Sequence, residues 1–456
     1  MTTALQDRLP RLNKFLYAIS DFTFSFTDTT MSVLWAIFMS DVVGLKLSYA
    51  ALVILIGRTW DAIDDPLFGY LTDRTRTRWG RRRVYLLFGA IPLGLTFAML
   101  WFRPPTQNAI LLTVYYTAAY MLYDTFYTMV TMPYYALTPE LTQDYDERTS
   151  LTMYRMSFSI IGSLVAFIVP LMIIGEMHPA NSSRVFMMGA IFGAICAVPP
   201  LLAFFGTRER PEYYTQSKAS VRESVKAVYK NRAFLFSAGI FLFTWTAIDI
   251  IQVFMLYFLK YRMNMEAQSD TILGTIFVTA LVMLPLWNWI SEKTDKRKAY
   301  VVGMIFLSAV MITLIMLSPS TNFLFILFIS VLAGIGVSAV HVLTWSIIPD
   351  AVEVDELATG QRHEGIFYSM ATFFKKIASA ILVPTTLMVL NWSGYVSNAT
   401  NQAPSAVMAI RVLMGPTPSV LLVCGILFAA FYPLSRAGHA QARAEIAARR
   451  GGKSNE

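Results

Sequence analysis

Charge is scarce in this chain, and so are the residues that build disulfides and metal sites. Charged side chains are 14% of 456 residues, roughly half the share usual in soluble domains. The two cysteines, Cys196 and Cys424, fall in apolar runs, which predicts buried free thiols and excludes a disulfide framework. The four histidines, His178, His341, His363 and His439, show no metal-ligand spacing. Neither a nucleophile–base set nor a metal cluster stands out, so an enzyme is not expected. No cleavable signal peptide is apparent, because the first apolar stretch is long enough to span and stay.

Apolar residues are what the chain has in quantity. They make up 55% of it, with a mean hydropathy of +0.52. A soluble core does not need that balance at this length, but a polytopic membrane protein does. The expected fold class is all-α: twelve transmembrane helices in two pseudo-symmetric six-helix bundles. The expected spans are 13–39, 47–71, 84–102, 109–132, 152–174 and 184–205, then 234–258, 269–290, 300–317, 323–347, 366–390 and 412–434. The domains follow as 1–205 and 233–434, joined by a linker at 206–232 and closed by a basic tail at 435–456.

The net charge of +8 sits in short loops, so nucleic acid is not an expected partner. Lys and Arg concentrate after the second span, in the linker and after the eighth span, which places those loops and both termini in the cytoplasm of a plasma (inner) membrane protein. The halves echo each other: Gly69 to Arg83 resembles Trp289 to Lys298, and Pro139-Glu140 resembles Pro349-Asp350. Matching loops imply bundles related by an axis along the membrane normal, the geometry of alternating access. Asp73, Arg74, Arg81, Arg82 and Arg83 carry topogenic charge and a candidate gating role.

Acids at membrane depth give the chemistry. Trp60-Asp61-Ala62-Ile63-Asp64-Asp65-Pro66 lies inside the second span. Asp61 and Asp65 are four apart and share a face, while Asp64 is expected to point elsewhere. A carboxylate there costs several kcal/mol unless it meets a cation, a proton or water. A static ion pair with another helix would satisfy the pair, and so would a transported cation, the reading favoured here. Lys375-Lys376 in the eleventh span also needs an acid, and Lys376 is expected to serve the Asp61/Asp65 pair as a tethered cation. Asp249 lies deep in the seventh span. Tyr127, Thr131 and Tyr135 share a face of the fourth span, with Thr128 adjacent and Asp124 nearer its middle. Asp21, Ser25 and Asp28 share a face of the first span. Arg155 starts the fifth, either snorkelling or facing a cavity.

These residues resemble a family. The Trp60–Pro66 stretch, followed by Arg76-Thr77-Arg78-Trp79-Gly80-Arg81, is similar to the glycoside–pentoside–hexuronide:cation symporters (melibiose permease-like) of the major facilitator superfamily. Asp41-Val42-Val43-Gly44-Leu45, Pro133 to Pro139, Glu147-Arg148 with Arg155, and Thr372 to Lys376 extend the likeness along nearly the whole chain. The resemblance implies that Asp61, Asp65 and Thr128 hold the coupling cation beside Lys376, and that Tyr127, Tyr135 and Arg155 line the substrate cavity. Ser25 and Thr131 stand where the family's type member grips its sugar with acids, and Asp21 and Asp28 flank Ser25 as substitutes. Thr372 completes the candidate substrate set. The same stretches are similar to lysolipid-carrying animal relatives, which share Asn13-Lys14, Trp345-Ser346 and Pro349-Asp350.

The expected function is a monomeric secondary symporter that couples inward flow of Na+ or H+ to uptake of a sugar or glycoside. The alternatives are a lysophospholipid or amphiphile symporter and, from another class, a non-transporting receptor or scaffold. No cofactor and no structural metal are expected, and the expected partners are a small-molecule substrate and membrane lipid.

Overall fold

The computed structural model describes residues 9–142, 145–209, 231–359 and 364–433. The tail and most of the linker lie outside these residues. Among the described residues, fourteen α-helices follow in chain order: α1 Arg11–Ala18, α2 Ser20–Ile37, α3 Leu47–Arg74, α4 Arg83–Leu100, α5 Ala109–Leu141, α6 Tyr145–Ile174, α7 Ser182–Gly206, α8 Arg232–Tyr257, α9 Ser269–Lys293, α10 Lys296–Thr313, α11 Phe323–Thr359, α12 Glu364–Trp392, α13 Pro404–Met414 and α14 Pro416–Ala430. Long apolar segments form helices because a bilayer offers backbone groups no other partner. Short polar side chains mark several starts. Asn108 accepts from the Ile110 and Leu111 amides, Asn231 from Phe234 at 3.0 Å, and Asp295 from Arg297 at 2.8 Å, each filling an otherwise orphaned donor.

Nine helical stretches among the described residues are long and apolar enough to cross a membrane. Three more long elements complete a set of twelve: the run from α1 through α2, then α3, then α5. These three carry Asp21 and Asp28, then Asp61, Asp64 and Asp65, then Asp124. Helices outrun the apolar stretches in several places. α5 continues past Pro133 to Leu141, and α11 continues to Thr359. Residues expected in loops therefore extend helices beyond the apolar part of the span.

The chain folds into two compact units. One comprises residues 1–216, 265–271 and 383–406, and the other 217–264, 272–382 and 407–456. Within the first, α4 packs on α7 and α5, and α2 on α6 and α7. Within the second, α10 packs on α14 and α11, and α8 on α14. The first long helix of each unit ends alike. α2 runs into a π-turn at Phe38–Val42, and α8 into one at Phe258–Arg262. Each is followed two residues on by a left-handed residue, Gly44 at φ 85° and Asn264 at φ 55°. The repeat seen in the loops is thus also a repeat of backbone.

At the first of these ends a carboxylate is fully buried. Asp41 accepts from Ser40 Oγ at 2.8 Å, from Ser397 Oγ at 3.2 Å and from the Tyr395 hydroxyl. The Asn398 amide donates to the Asp41 carbonyl at 2.6 Å. Cys196 and Cys424 are both free thiols; Cys196 is buried as expected, and Cys424 is half-buried.

α4 and α7 cross closely at two glycines. A Cβ on Gly94 would lie 2.3 Å from the Gly193 carbonyl oxygen, and one on Gly193 would lie 2.4 Å from that of Gly94. Small residues at such crossings let helix backbones approach in lipid. Gly69, inside α3, is different: a Cβ there would meet nothing within 4 Å. Gly94→Val or Gly193→Val is therefore expected to lower the melting temperature of the purified protein by several degrees, at a cost of about 1–3 kcal/mol. Gly69→Ala should hold or raise it, because alanine suits a helix better by about 0.5–1 kcal/mol. Thermal denaturation in detergent distinguishes the two outcomes.

Candidate functional site

Asp61 and Asp64 on α3 and Asp124 on α5 form one group, with a carboxylate oxygen from each lying within 4.8 Å of the others. Asp64 and Asp124 are buried and Asp61 is half-buried. Asp64, expected to point elsewhere, turns into this group, and this corrects the reading of the second span. Residues three apart share a helix face as readily as residues four apart, and the position of α5 selects the third. Asp65 is half-buried and lies outside the group of three. The Trp60 indole donates to Thr125 Oγ1 at 2.9 Å and fastens α3 to α5 beside the acids. Thr128, one turn beyond Asp124, is buried. Carboxylates at this spacing repel by about 3 kcal/mol per pair at an effective dielectric of 20. A triangle of this size has its centre roughly 2.8 Å or less from each oxygen, close to the distances at which hard cations bind carboxylates.

Arg155 takes a defined role. Its Nε donates to Asp21 Oδ2 at 2.8 Å and its Nη2 to Asp21 Oδ1 at 3.2 Å. The Tyr134 hydroxyl also donates to Asp21. Arg155 further donates to Thr138 Oγ1 at 3.0 Å, and its guanidinium lies 5.1 Å from the ring centres of both Tyr134 and Tyr135. A bidentate fork is the strongest geometry for such a pair. Nearer the end of the helices, Lys14 pairs with Glu147 at 2.7 Å and donates to Ser150 at 3.0 Å. The snorkelling alternative for Arg155 is set aside by this inward fork.

The other substrate candidates occupy varied settings. Tyr127 is half-buried, edge-on to Phe24 at 5.9 Å, and Tyr135 is 44% exposed. Asp28 is exposed. Ser25 is hydrogen-bonded to Ser159, while Thr131 donates to its own helix at Tyr127 and Thr372 to its own at Tyr368 and Ser369.

In the second unit, Lys375 Nζ lies 2.9 Å from Asp249 Oδ2, and Ser379 Oγ donates to the same carboxylate. Lys375 thus meets an acid on α8. Lys376, the next residue, is half-buried on α12. Both members of the Asp249–Lys375 pair stand out in the sequence as charges at membrane depth, but their pairing does not.

The arginine-rich loop is anchored by a residue that the sequence reading passed over. Glu209, just after α7, accepts from the backbone amides of Arg81 at 2.7 Å, Arg82 at 2.7 Å and Arg83 at 2.8 Å. A carboxylate on three successive amides at the start of α4 also meets the positive end of its dipole. Gly80, at φ 109°, leaves the room: a Cβ there would lie 2.6 Å from a Glu209 oxygen. Arg82 donates to the Ala136 carbonyl, and Arg83 donates to the Phe204 carbonyl at 2.6 Å through Nη2. Arg74 stacks on Tyr70 at 4.1 Å. The Asp73 side chain lies outside the described residues.

Residues 16–436 match the sequence profile of the family described as MFS/sugar transport protein. The chain belongs to that family. It is 29% identical to an uncharacterised symporter of Synechocystis, covering 97% of this chain and 98% of that one. It is 28% identical to a sodium-dependent lysophosphatidylcholine symporter of Danio rerio, covering 92% and 85%. Among solved structures it resembles a bacterial homologue of the human lysosomal transporter Spinster, with a TM-score of 0.67, 14% identity and 95% and 97% coverage.

This transporter therefore has the twelve-helix, two-bundle major facilitator fold and is an integral membrane protein, and the relatives it matches are transporters rather than enzymes. Its intramembrane ion pairs follow the energetics of buried charge. Asp249→Asn, which leaves Lys375 facing a neutral amide, is expected to cost about 3 kcal/mol, and Asp249→Asn with Lys375→Met to recover much of it. Melting temperatures of the two single variants and the double variant measure that coupling. Strictly additive losses would refute it.

Proposed function

We propose that this transporter is a cation-coupled symporter that carries a lysophospholipid-like amphiphile inward by alternating access. The observation that carries the coupling is the group formed by Asp61, Asp64 and Asp124. Like charges in a membrane interior are costly, and a monovalent cation among them relieves the repulsion. Asp65 and Thr128, adjacent on the same two helices, are proposed to complete its oxygen shell. Sodium is the favoured ion, because several oxygens converge where a proton would need only one. The relative whose name states sodium dependence supports that choice. The narrower likeness to glycoside–pentoside–hexuronide:cation symporters is part of the same proposal, and so are the plasma membrane location, the cytoplasmic termini and the monomeric state.

The choice of substrate class rests on two observations. The lysophosphatidylcholine symporter of Danio rerio is similar along nearly the whole chain. Ser25 and Thr131, which replace the sugar-gripping acids, spend their hydroxyls on Ser159 and on the helix backbone. Arg155 and Tyr135 are proposed to line the cavity with Tyr127, and Asp21 holds Arg155 in place. A sugar or glycoside is the second reading, favoured by the family's description.

The deciding experiment is uptake of labelled lysophosphatidylcholine and of a labelled galactoside into cells or proteoliposomes under sodium, potassium and pH gradients. Sodium-driven accumulation of the lysolipid alone is expected, up to about fifty-fold per 100 mV for one ion. Asp61→Asn and Asp64→Asn should each abolish the sodium response. They should also abolish a sodium-specific rise in melting temperature, which reports ion binding without any substrate. Galactoside uptake without lysolipid uptake would overturn the substrate assignment. A melting temperature indifferent to sodium and pH in the wild type would overturn the coupling.

A further inference from the structure

Two arginines of the second unit converge on one helix end. α10 passes through a 3-10 turn at Leu314–Met316 and stops at Leu317. The Arg262 Nη2, at the end of the α8 π-turn, donates to the Leu317 carbonyl, and the Arg411 Nη2, on α13, donates to the Ile315 carbonyl. The two acceptors are two residues apart at one helix end, and Arg262 feels the charge of Arg411. The helix dipole explains part of this arrangement, since carbonyls at a helix C-terminus attract cations.

It does not explain the rest. A guanidinium carries five N–H donors. The Nε of Arg262 and the Nε of Arg411 are both buried and have no hydrogen-bond partner among the described residues. An unmet buried donor keeps its full desolvation cost, and here there are two, on two cations that reach the same helix end. No ion pair with a carboxylate is formed by either arginine among the described residues. An oxyanion that the two side chains turn to meet would accept from both Nε groups and neutralise the pair. The setting indicates its source. Arg262 ends one candidate span, Leu317 follows the end of another, and Arg411 lies near the start of a third. Met316 is 83% exposed and Leu324 73%, which is what side chains facing acyl chains show.

We propose that Arg262 and Arg411 form a binding site for the phosphate of an anionic phospholipid at this end of the second unit, separate from the carboxylate group on α3 and α5. The lipid head would complete the cap on α10 and hold α8, α10 and α13 together. The inference does not depend on the substrate assignment, because no residue is shared with that site.

The test compares purified protein with phosphatidylglycerol, with phosphatidylcholine and with inorganic phosphate alone, by native mass spectrometry and thermal denaturation. The wild type is expected to retain phosphatidylglycerol in preference to phosphatidylcholine and to melt several degrees higher with it, while inorganic phosphate has little effect. Arg262→Gln with Arg411→Gln should remove the preference. Arg411→Lys guards against a folding failure, since it keeps the positive charge at the helix end and removes the Nε donor. It should lower the retention ratio by about threefold, the order of one hydrogen bond's net contribution. Equal retention of phosphatidylglycerol by the wild type, the double variant and Arg411→Lys overturns the proposal. Protection by inorganic phosphate that phosphatidylglycerol cannot reproduce overturns the assignment to lipid.

Discussion

The cost of holding a carboxylate away from water governs this structure. Each acid at membrane depth is expensive on its own, and the fold answers that cost differently at different places. Asp21 is gripped by the fork of Arg155 and by the Tyr134 hydroxyl. Asp249 has Lys375 and Ser379. Asp41 is closed in by the hydroxyls of Ser40, Ser397 and Tyr395. In the fourth place three acids, Asp61, Asp64 and Asp124, are brought towards one another. The first three arrangements lower the energy of a fixed structure. The fourth sets like charges against one another, a repulsion that a cation among them relieves and that the proposal puts to use. The proposed use is to make the site's preferred state depend on a visiting ion.

The two units reuse one backbone plan with different side chains. A π-turn and a left-handed residue end both α2 and α8. At the first end the buried group is Asp41, surrounded by donors. At the second the groups are Arg262 and Arg411, which reach backbone acceptors. The same local geometry thus supports an anion in one unit and cations in the other. A repeat fixes where backbone polarity is left over, and the residue type fixes what each leftover binds.

The spans were legible in the sequence because an apolar run about 20 residues long has few alternatives to a membrane helix. The charged residues at depth were legible for the same reason, since they interrupt those runs. What the sequence did not supply was azimuth. Asp64 and Asp65 lie about 60° and 40° from Asp61 around the helix, on opposite sides, at about 100° per residue. Both share a face with it, and only the location of α5 draws Asp64 into the group. Lys375 and Lys376 pose the same problem on α12, where it is the location of α8 that brings Asp249 to Lys375. Glu209 was harder still: it sits in a polar segment whose composition gives no hint that three amides at the start of α4 await it.

The anchoring of the arginine loop shows how little of a charge's role follows from its sign. Arg81, Arg82 and Arg83 read first as a topogenic cluster, and their number alone supports that reading. Yet Glu209 takes hold of their backbone, which glycine at position 80 allows the carboxylate to reach. Two of the side chains extend further, Arg82 to the Ala136 carbonyl and Arg83 to the Phe204 carbonyl. The loop therefore ties α4 to the ends of α5 and α7 through acceptors that any sequence would provide. A lysine run would carry the same topogenic charge, but it would lack the planar fork by which Arg83 reaches the Phe204 carbonyl with two donors while covering its ring. Arginine at these positions is explained by geometry that charge counting does not contain.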